Sequence, residues 1–382
     1  MQAQIRRRSV YFGIALAVVL AWLGLSGVYV GLLVGHADMA LAGHRGGDAL
    51  FPRLRQLDAL WAFVGLTLFQ LLVLRENEKR WTDAVVWLAL LGGAAFCIAR
   101  QWAPLDLRFS LHVADGACAI IVAGFAVLRM AAFLSGRRIE VGDVWAFVGL
   151  QWMLVWTGAN AYLTWTQNPL AGISDERRLL LFELATLGMG VHVLAALGLR
   201  SLKSAMRPVV RQRAGLLALV AYNVGTVVLL CGLRGVGAGV MLAGVALLLP
   251  ALWPEKGKGR SVDGVMALFA AALAILPWES SAFSAWRHGI GAGVVALGTL
   301  VAAIVALRVV LPKRLRPTVL SMIGLTLFMT GVATRMATEI LMGQGRAMPA
   351  GLAVSAALEI AGAALVSVAL VRGMRMLGAR MR

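Results

Sequence analysis

Long apolar stretches separated by short polar or basic segments follow one another along the whole chain. A helix needs about 20 mainly apolar residues to cross the hydrocarbon core of a bilayer, and runs of that length recur throughout the sequence. The pattern predicts an all-α membrane bundle of about twelve transmembrane helices, near residues 9–35, 57–74, 82–100, 109–131, 143–165, 179–201, 214–232, 236–253, 262–279, 287–310, 318–341 and 349–371.

Lys and Arg residues concentrate in alternate connections between these spans. The N-terminal segment 1–8, the connection 203–213 and the tail 372–382 are especially basic, and the positive-inside rule assigns such segments to the cytoplasm. Both termini are therefore predicted to be cytoplasmic. We predict a single integral membrane domain with two approximate six-helix halves, 1–202 and 214–382, joined by the basic loop 203–213.

Composition supports a membrane protein and argues against a nucleic-acid-binding one. Of the 382 residues, 60% are hydrophobic and 14% charged, and the mean hydropathy is +0.82, which leaves too little charge to cover a soluble surface. The formal net charge of +18 would favour nucleic acid in a soluble protein, but here the basic loops account for it. The expected surroundings are lipid.

Ionisable residues inside predicted spans are the first candidates for function, because charge is costly there. Arg335 and Glu339 are four residues apart, so they share a helix face and can form an ion pair. Arg200 and Arg335 could instead extend to an interface with their stems buried. The candidates other than histidine are Glu183, Arg200, Arg335, Glu339, Arg346, Glu359 and Asp115.

Histidines are the second group of candidates, because imidazole is a common ligand of haem and copper. His192 lies deep in a predicted span, whereas His288 and His112 lie near span ends. His112 is three residues from Asp115 and shares its helix face. A lone histidine in a helix is more often a hydrogen-bonded structural residue than a ligand, and no two histidines share a span at ligand-like spacing.

Part of the second half resembles the NnrS family, twelve-span membrane proteins associated with haem, copper and the response to nitric oxide. The segments SMIGLTLFMTGVATR (321–335) and MGQGRAMP (342–349) are similar to a late helix and the Gly-His-Thr-Gly-Arg-Pro turn of that family. The segment WRHGIGAGVVALG (286–298) resembles the preceding span, and ALGLRSLKSAMRP (196–208) matches an earlier turn in part. The matching positions are Gly198, Arg200, His288, Gly289, Gly324, Arg335, Gly345 and Arg346.

Several ligand positions of that family are replaced in this sequence. The segment RPTVLSMI (316–323), directly before Gly324, lacks the histidine that the family has there. Gln344 stands where the turn has histidine, and the early Trp-His-x-His-Glu-Met element is missing. The resemblance implies a cofactor-binding role for His288, His192, Arg335 and Arg200, with haem as a candidate cofactor. Copper is not favoured, because it generally needs several imidazoles or thiolates. No residue is assigned as a metal ligand, and the cofactor stays open.

Three functions remain compatible with the sequence. The resemblance implies an NnrS-like membrane protein with a role around nitric-oxide or respiratory metabolism. Twelve spans with polar residues such as Glu183, His192 and Glu359 along a path are also typical of a secondary transporter. A non-catalytic subunit of a larger membrane complex is the third. Whether the protein is an enzyme is left open, as are its substrate and oligomeric state.

Overall fold

The computed structural model describes residues 139–166, 175–201, 206–252, 285–298, 318–346 and 348–380, with single positions between 89 and 128 and positions 300, 301 and 304. Among these residues the chain is helical apart from short connecting segments, and no strand occurs. The all-α prediction is confirmed for this part. Its helices are α1 (Val141–Thr166), α2 (Asp175–Glu183), α3 (Val191–Ser201), α4 (Pro208–Leu230), α5 (Arg234–Leu252), α6 (Thr318–Gly343) and α7 (Pro349–Arg380).

Two stretches have the wider turn of a π-helix. The segment π1 (Leu184–Gly190) joins α2 to α3 without a break, and π2 (Gly289–Ala296) belongs to a helical stretch that is described from residue 285 onward. At the end of π1 the Val191 N–H donates to the Thr186 carbonyl. Five residues separate these partners, as the π-helical bonding pattern requires.

Five helices are long and apolar enough to cross a membrane: Leu179–Arg200, Pro208–Leu230, Arg234–Leu252, Val319–Gly343 and Ala350–Gly373. They overlap five of the predicted spans, and α1 overlaps a sixth with a shorter apolar stretch, Val141–Trp156. These helices indicate a multi-pass membrane protein. The predicted spans 9–35, 57–74 and 262–279 lie outside the described residues, and 82–100 and 109–131 are described only at scattered positions.

The predicted ends of two elements differ from the observed ones. Helix α4 begins at Pro208, inside the predicted loop 203–213, because proline suits the first turn of a helix, where its missing N–H has no partner to lose. Helix α7 continues to Arg380, nine residues past the predicted end of its span. Its extension carries Arg372 and Arg375 on exposed surface, so it no longer has the composition of a buried span.

One side of α4 exposes a continuous row of aliphatic side chains. At about 100° per residue they fall within a sector of about 120°, which places them on one face of the helix. In water such a face would mark a binding surface, but in a bilayer it is the expected lipid-facing side. The row consists of Val209, Val210, Leu216, Leu217, Val220, Val224 and Val227.

Helices α4 and α5 form one antiparallel hairpin, and α6 and α7 form another. Both hairpins pack backbone against backbone at glycine. A Cβ atom placed on Gly225 would lie 2.6 Å from the Met241 backbone nitrogen, and one on Gly362 would lie 2.6 Å from the Gly324 carbonyl oxygen. Side chains at these positions would push the helices apart, so the glycines set the close approach that small residues allow in membrane bundles.

The same turn closes both hairpins. Gly232 and Gly345 have φ angles of 92° and 83°, a left-handed conformation that glycine adopts without steric cost. Leu233 N–H bonds to the Val228 carbonyl, and Arg346 N–H bonds to the Leu341 carbonyl. These bonds define the Schellman motif, which satisfies the last carbonyls of a helix. The glycine-rich segment MGQGRAMP (342–349) therefore contains the turn that closes the second hairpin.

Helix directions alternate from α1, through the continuous helix of α2, π1 and α3, to α4 and α5. Gly142 near the start of α1 lies against Leu199 near the end of α3, so these neighbours are antiparallel. Trp145 and Trp152 of α1 bond to Gly215 and Asn223 of α4 in the same order along both helices, so α1 and α4 are parallel. We call the end of the bundle with the two glycine turns the turn end, and the end where α3 stops and α4 starts the foot end.

Candidate functional site

Among the described residues, most of the ionisable side chains inside the bundle lie at the turn end. Seven of them form what we call the polar cluster, and they come from five separate parts of the chain. Four of the seven are buried, with Glu183, Arg335, Glu339 and Glu359 between 3% and 8% exposed. The members of the polar cluster are Glu183, Arg234, Arg287, His288, Arg335, Glu339 and Glu359.

A histidine and a glutamate from distant parts of the chain meet in this cluster. His288 Nε2 lies 2.8 Å from Glu359 Oε1, and the His288 side chain is 21% exposed against 8% for Glu359. Gly331 of α6 makes this geometry possible, because a Cβ atom there would lie 2.7 Å from Glu359 Cγ. The glycine seam of the second hairpin therefore positions the carboxylate.

Arg335 and Glu339 form the ion pair predicted from their spacing. Arg335 Nε donates to Glu339 Oε1 at 2.5 Å, and both side chains are nearly buried. The two residues also act electrostatically on His288, so this pair and the His288–Glu359 pair belong to one electrostatic unit. Glu339 Oε2 is buried and has no hydrogen-bond partner among the described residues, which leaves an acceptor open inside the cluster.

Glu183 connects α2 to the cluster through two arginines. Arg234, in the first turn of α5, places its Nη2 atom 3.4 Å from Glu183 Oε1, and Arg287 also acts electrostatically on this carboxylate. The Arg287 guanidinium lies over the Phe182 ring, 5.3 Å from its centroid. Arg287 precedes His288 directly, so the Glu183 contacts and the His288 contacts meet in one turn of the π2 stretch.

The formal charges of the polar cluster cancel. It contains three arginines and three glutamates, so its charge is zero when His288 is neutral and plus one when His288 is protonated. Buried charges are stable only when they are paired. Uptake or release of one proton at His288 therefore changes the net charge of the cluster by a single unit, between zero and plus one.

His192 has entirely different surroundings. Its ring is fully buried, and the Trp145 and Tyr222 rings lie with their centroids 5.2 Å from it. Trp152 lies at 6.4 Å and donates its Nε1–H to Asn223 Oδ1 at 2.7 Å. His192 Nδ1 bonds to the Gly188 carbonyl oxygen within its own helix. The simpler structural interpretation of a buried, hydrogen-bonded histidine fits this environment.

The two candidate haem ligands do not meet. The Phe182 and Trp286 rings contact each other at 6.1 Å, which puts residues 182 and 286 at one depth in the bundle. His192 follows Phe182 by ten residues, so at about 1.5 Å per residue it lies more than about 10 Å deeper than His288. The imidazoles therefore cannot bind one haem from its two sides.

Other side chains already engage each of the two histidines. Aromatic rings pack around His192, and His288 Nε2 bonds to Glu359. The described residues also hold no group of three or more His, Cys, Asp or Glu side chains that could bind a metal ion. The residues that the structure describes therefore supply no pair of imidazoles placed to hold one haem between them.

Arg200 lies at the foot end, away from the polar cluster. It forms an ion pair with Asp143, whose other carboxylate oxygen accepts the Glu140 N–H at 3.0 Å. Nearby, Arg211 donates to the Leu199 carbonyl at 2.7 Å and to the Ala251 carbonyl at 3.0 Å. These contacts hold the ends of α3 and α5 together, which is a structural role.

Sequence reasoning found five of the seven cluster residues and missed Arg234 and Arg287. Arg234 was hidden because it follows a glycine turn and resembles an ordinary loop residue. Asp143 was also missed, although it opens one predicted span while Arg200 closes the next, which places both at one end of antiparallel neighbours. Arg346 lies exposed in the turn after α6, and His112 and Asp115 lie outside the described residues.

No protein-family model matches the chain, and no curated protein matches it either. The fold and the cluster together define a multi-pass helical membrane protein with a buried, charge-balanced ionisable site.

Proposed function

We propose that this protein is a secondary transporter in which the polar cluster carries the coupling proton for a small polar solute. The observation that supports the proposal is the His288–Glu359 pair, buried between a π-helical stretch and α7 and flanked by the Arg335–Glu339 pair. Ionisable side chains inside membrane helices mark proton and substrate paths in transporters and pumps. The twelve-span count predicted from the sequence is typical of such transporters.

The proton step can be written for two atoms. In one state His288 Nε2–H donates to a Glu359 carboxylate, and both residues are charged. In the other state the N–H bond has broken, an O–H bond has formed on Glu359 Oε1, and both residues are neutral. The pair carries no net charge in either state, so the transfer leaves no unpaired charge in the bundle.

Exchange with the outside can occur through His288. This side chain is more exposed than Glu359 and lies at the turn end. The charged residues that face it are Glu359 of α7 and Arg335 and Glu339 of α6. Arg287 precedes it on its own stretch, and Glu183 and Arg234 lie beyond. We expect protons to enter at His288 and move inward to Glu359.

Reconstituted vesicles provide the test. The purified protein is placed in liposomes that contain a pH-sensitive dye, the membrane potential is clamped with potassium and valinomycin, and pools of amino acids, carboxylic acids, amines and sugars are added outside. We expect one pool to drive proton movement in the wild-type protein and Glu359→Gln to reduce that movement at least tenfold. Ser367→Ala is the control, because Ser367 lies deeper in α7 and bonds only to the Ala363 carbonyl.

Two results would overturn this proposal. One is a wild-type protein that moves no more protons than empty liposomes with every pool. The other is a solute-driven flux that Glu359→Gln leaves unchanged.

A second proposal keeps the resemblance to the NnrS family and a role around nitric-oxide or respiratory metabolism. The observation that favours it is the position of Arg335 and His288, two of the matching residues, in one electrostatic unit. The test is the absorption spectrum of the protein, oxidised and reduced with dithionite, after expression with added haem. A Soret band that His288→Ala removes would support this proposal against the transporter.

A further inference from the structure

Both π-helical segments begin directly after an ionisable residue of the polar cluster. Glu183 is the residue before π1, and His288 is the residue before π2. The two segments also lie side by side and run in the same direction, because Gly291 faces the Phe182 ring and Gly298 faces Leu194. Two wide turns therefore lie together beneath the polar cluster.

Side chains from α3 and α4 hold π1 in its wide form. A π-helical turn shifts each bond by one residue and frees carbonyl groups that an α-helix would satisfy. The Leu187 carbonyl accepts the Tyr222 hydroxyl at 3.1 Å, and the Gly188 carbonyl bonds to His192 Nδ1. We call these two contacts the latch.

The wide turn determines which way Glu183 points. Glu183 and His192 are nine residues apart, and at about 100° per residue an unbroken α-helix would place them on opposite faces. One additional residue taken up by π1 reduces the effective spacing to eight, so the two side chains lie about 80° apart. Both are consequently buried, at 3% and 0% exposure, and Glu183 reaches Arg234.

We propose that π1 is the moving part of the transporter, and that its conversion to α-helix turns Glu183 out of the polar cluster. The inference rests on the proposed function. Losing the wide turn would rotate α2 by about 100° relative to α3 and would separate Glu183 from Arg234 and Arg287. The latch selects between the two registers, since the Val191 N–H bonds to Thr186 in the wide turn and so leaves the Leu187 carbonyl to the Tyr222 hydroxyl.

A single-residue deletion tests the register directly. Removing Ala185, a half-buried residue with no part in the latch, should convert π1 to α-helix. Because the chain is then one residue shorter, α2 and α3 keep their relative rotation, and Glu183 stays fixed in the polar cluster. We expect the ΔAla185 protein to fold with a melting temperature within a few degrees of wild type, and to lose at least tenfold of the solute-driven proton flux. The control is deletion of Ala221, half-buried in the regular helix α4, which should prevent folding.

Hydrogen exchange provides a measurement that does not depend on transport. In the wild-type protein the amides of residues 186–191 should exchange at least tenfold faster than those of residues 215–226. Tyr222→Phe should increase the exchange of π1 further, and the Ala185 deletion should slow it to the level of α4. This result would support the register change even if no solute moves protons, which would count against the transporter alone.

Three results would overturn the inference. The first is aggregation of the Ala185 deletion to the same extent as the Ala221 deletion. The second is wild-type exchange in π1 equal to that in α4 and unchanged by Tyr222→Phe. The third is a folded Ala185 deletion with full proton flux, which would leave the transporter proposal intact.

Discussion

The two hairpins share one architecture and differ in what they bury. Each joins two long antiparallel helices through a Schellman turn on a left-handed glycine, and each packs backbone against backbone along a glycine seam. Beside the α4–α5 seam lie Tyr222 and Met241, whereas the α6–α7 seam contains Ser355 and Glu359, with Arg335 and Glu339 nearby. The comparison separates a structural device, which both hairpins use, from the buried carboxylates of the polar cluster, which only the second hairpin contributes, while the first supplies Arg234 at its turn.

The largest effect should come from breaking the ion pair of the second hairpin. Arg335→Met leaves Glu339 buried without its partner, and removing one member of a buried pair typically costs about 3 kcal/mol or more. Unfolding of the protein with SDS in mixed micelles measures this loss. The double variant Arg335→Met, Glu339→Met should recover most of it, and a single variant as stable as wild type would contradict the pairing.

A somewhat smaller effect should follow from disturbing the apolar seam of the first hairpin. Gly225→Leu places side-chain atoms where the Met241 backbone lies, and overpacking of this kind costs about 2 kcal/mol. Gly239→Leu on α5 is the matched control, because a Cβ atom there meets nothing within 4 Å. Equal melting temperatures for the two variants would refute the close packing of α4 on α5.

A pair of alanine variants can separate packing from chemistry in the second hairpin. Gly324→Ala meets the Gly362 carbonyl oxygen at 2.7 Å, and Gly331→Ala meets Glu359 Cγ at the same distance. Each should lower the free energy of unfolding by about 1–2 kcal/mol. Only Gly331→Ala should also reduce solute-driven proton flux, because it displaces Glu359 from His288. Equal loss of flux in both variants would remove the distinction.

The smallest effect should appear at the foot end, where Arg211 fastens the first hairpin to α3. Arg211→Lys keeps the charge but cannot reach the Leu199 and Ala251 carbonyls together, since lysine lacks the two-pronged guanidinium. We expect a loss of about 0.5–1 kcal/mol for the weakened bonds. Thermal unfolding in detergent measures it, Arg213→Lys on the exposed neighbouring position is the control, and proton flux should not change.

The sequence contains enough information for the helices but not for the partners of the ionisable residues. Hydrophobic length located α1, α3, α4, α5, α6 and α7, because each must cross or line the same thickness of lipid. Spacing also predicted the Arg335–Glu339 pair, which lies within one helix. The His288–Glu359 pair joins residues 71 positions apart, and only the packing of the α6–α7 hairpin against the π2 stretch brings them together.

The π-helical segments explain why the histidines were harder to interpret. Nothing in LATLGMG (184–190) distinguishes a wide turn from an ordinary one, and a regular helix would have put Glu183 and His192 on opposite faces. A search for polar side chains inside the neighbouring predicted span 214–232 could have pointed to Tyr222. It could not have predicted which carbonyl accepts the Tyr222 hydroxyl, because that depends on the shifted register.

Helix α7 is longer than the membrane it crosses. Its 32 residues span about 48 Å at 1.5 Å per residue, against about 30 Å for the hydrocarbon of a bilayer. The surplus carries Arg372 and Arg375 on exposed surface, at the depth where phospholipid phosphates lie. The last turns therefore form a rigid, positively charged helix end among the lipid headgroups, which would keep any domain fused after it outside the hydrocarbon core.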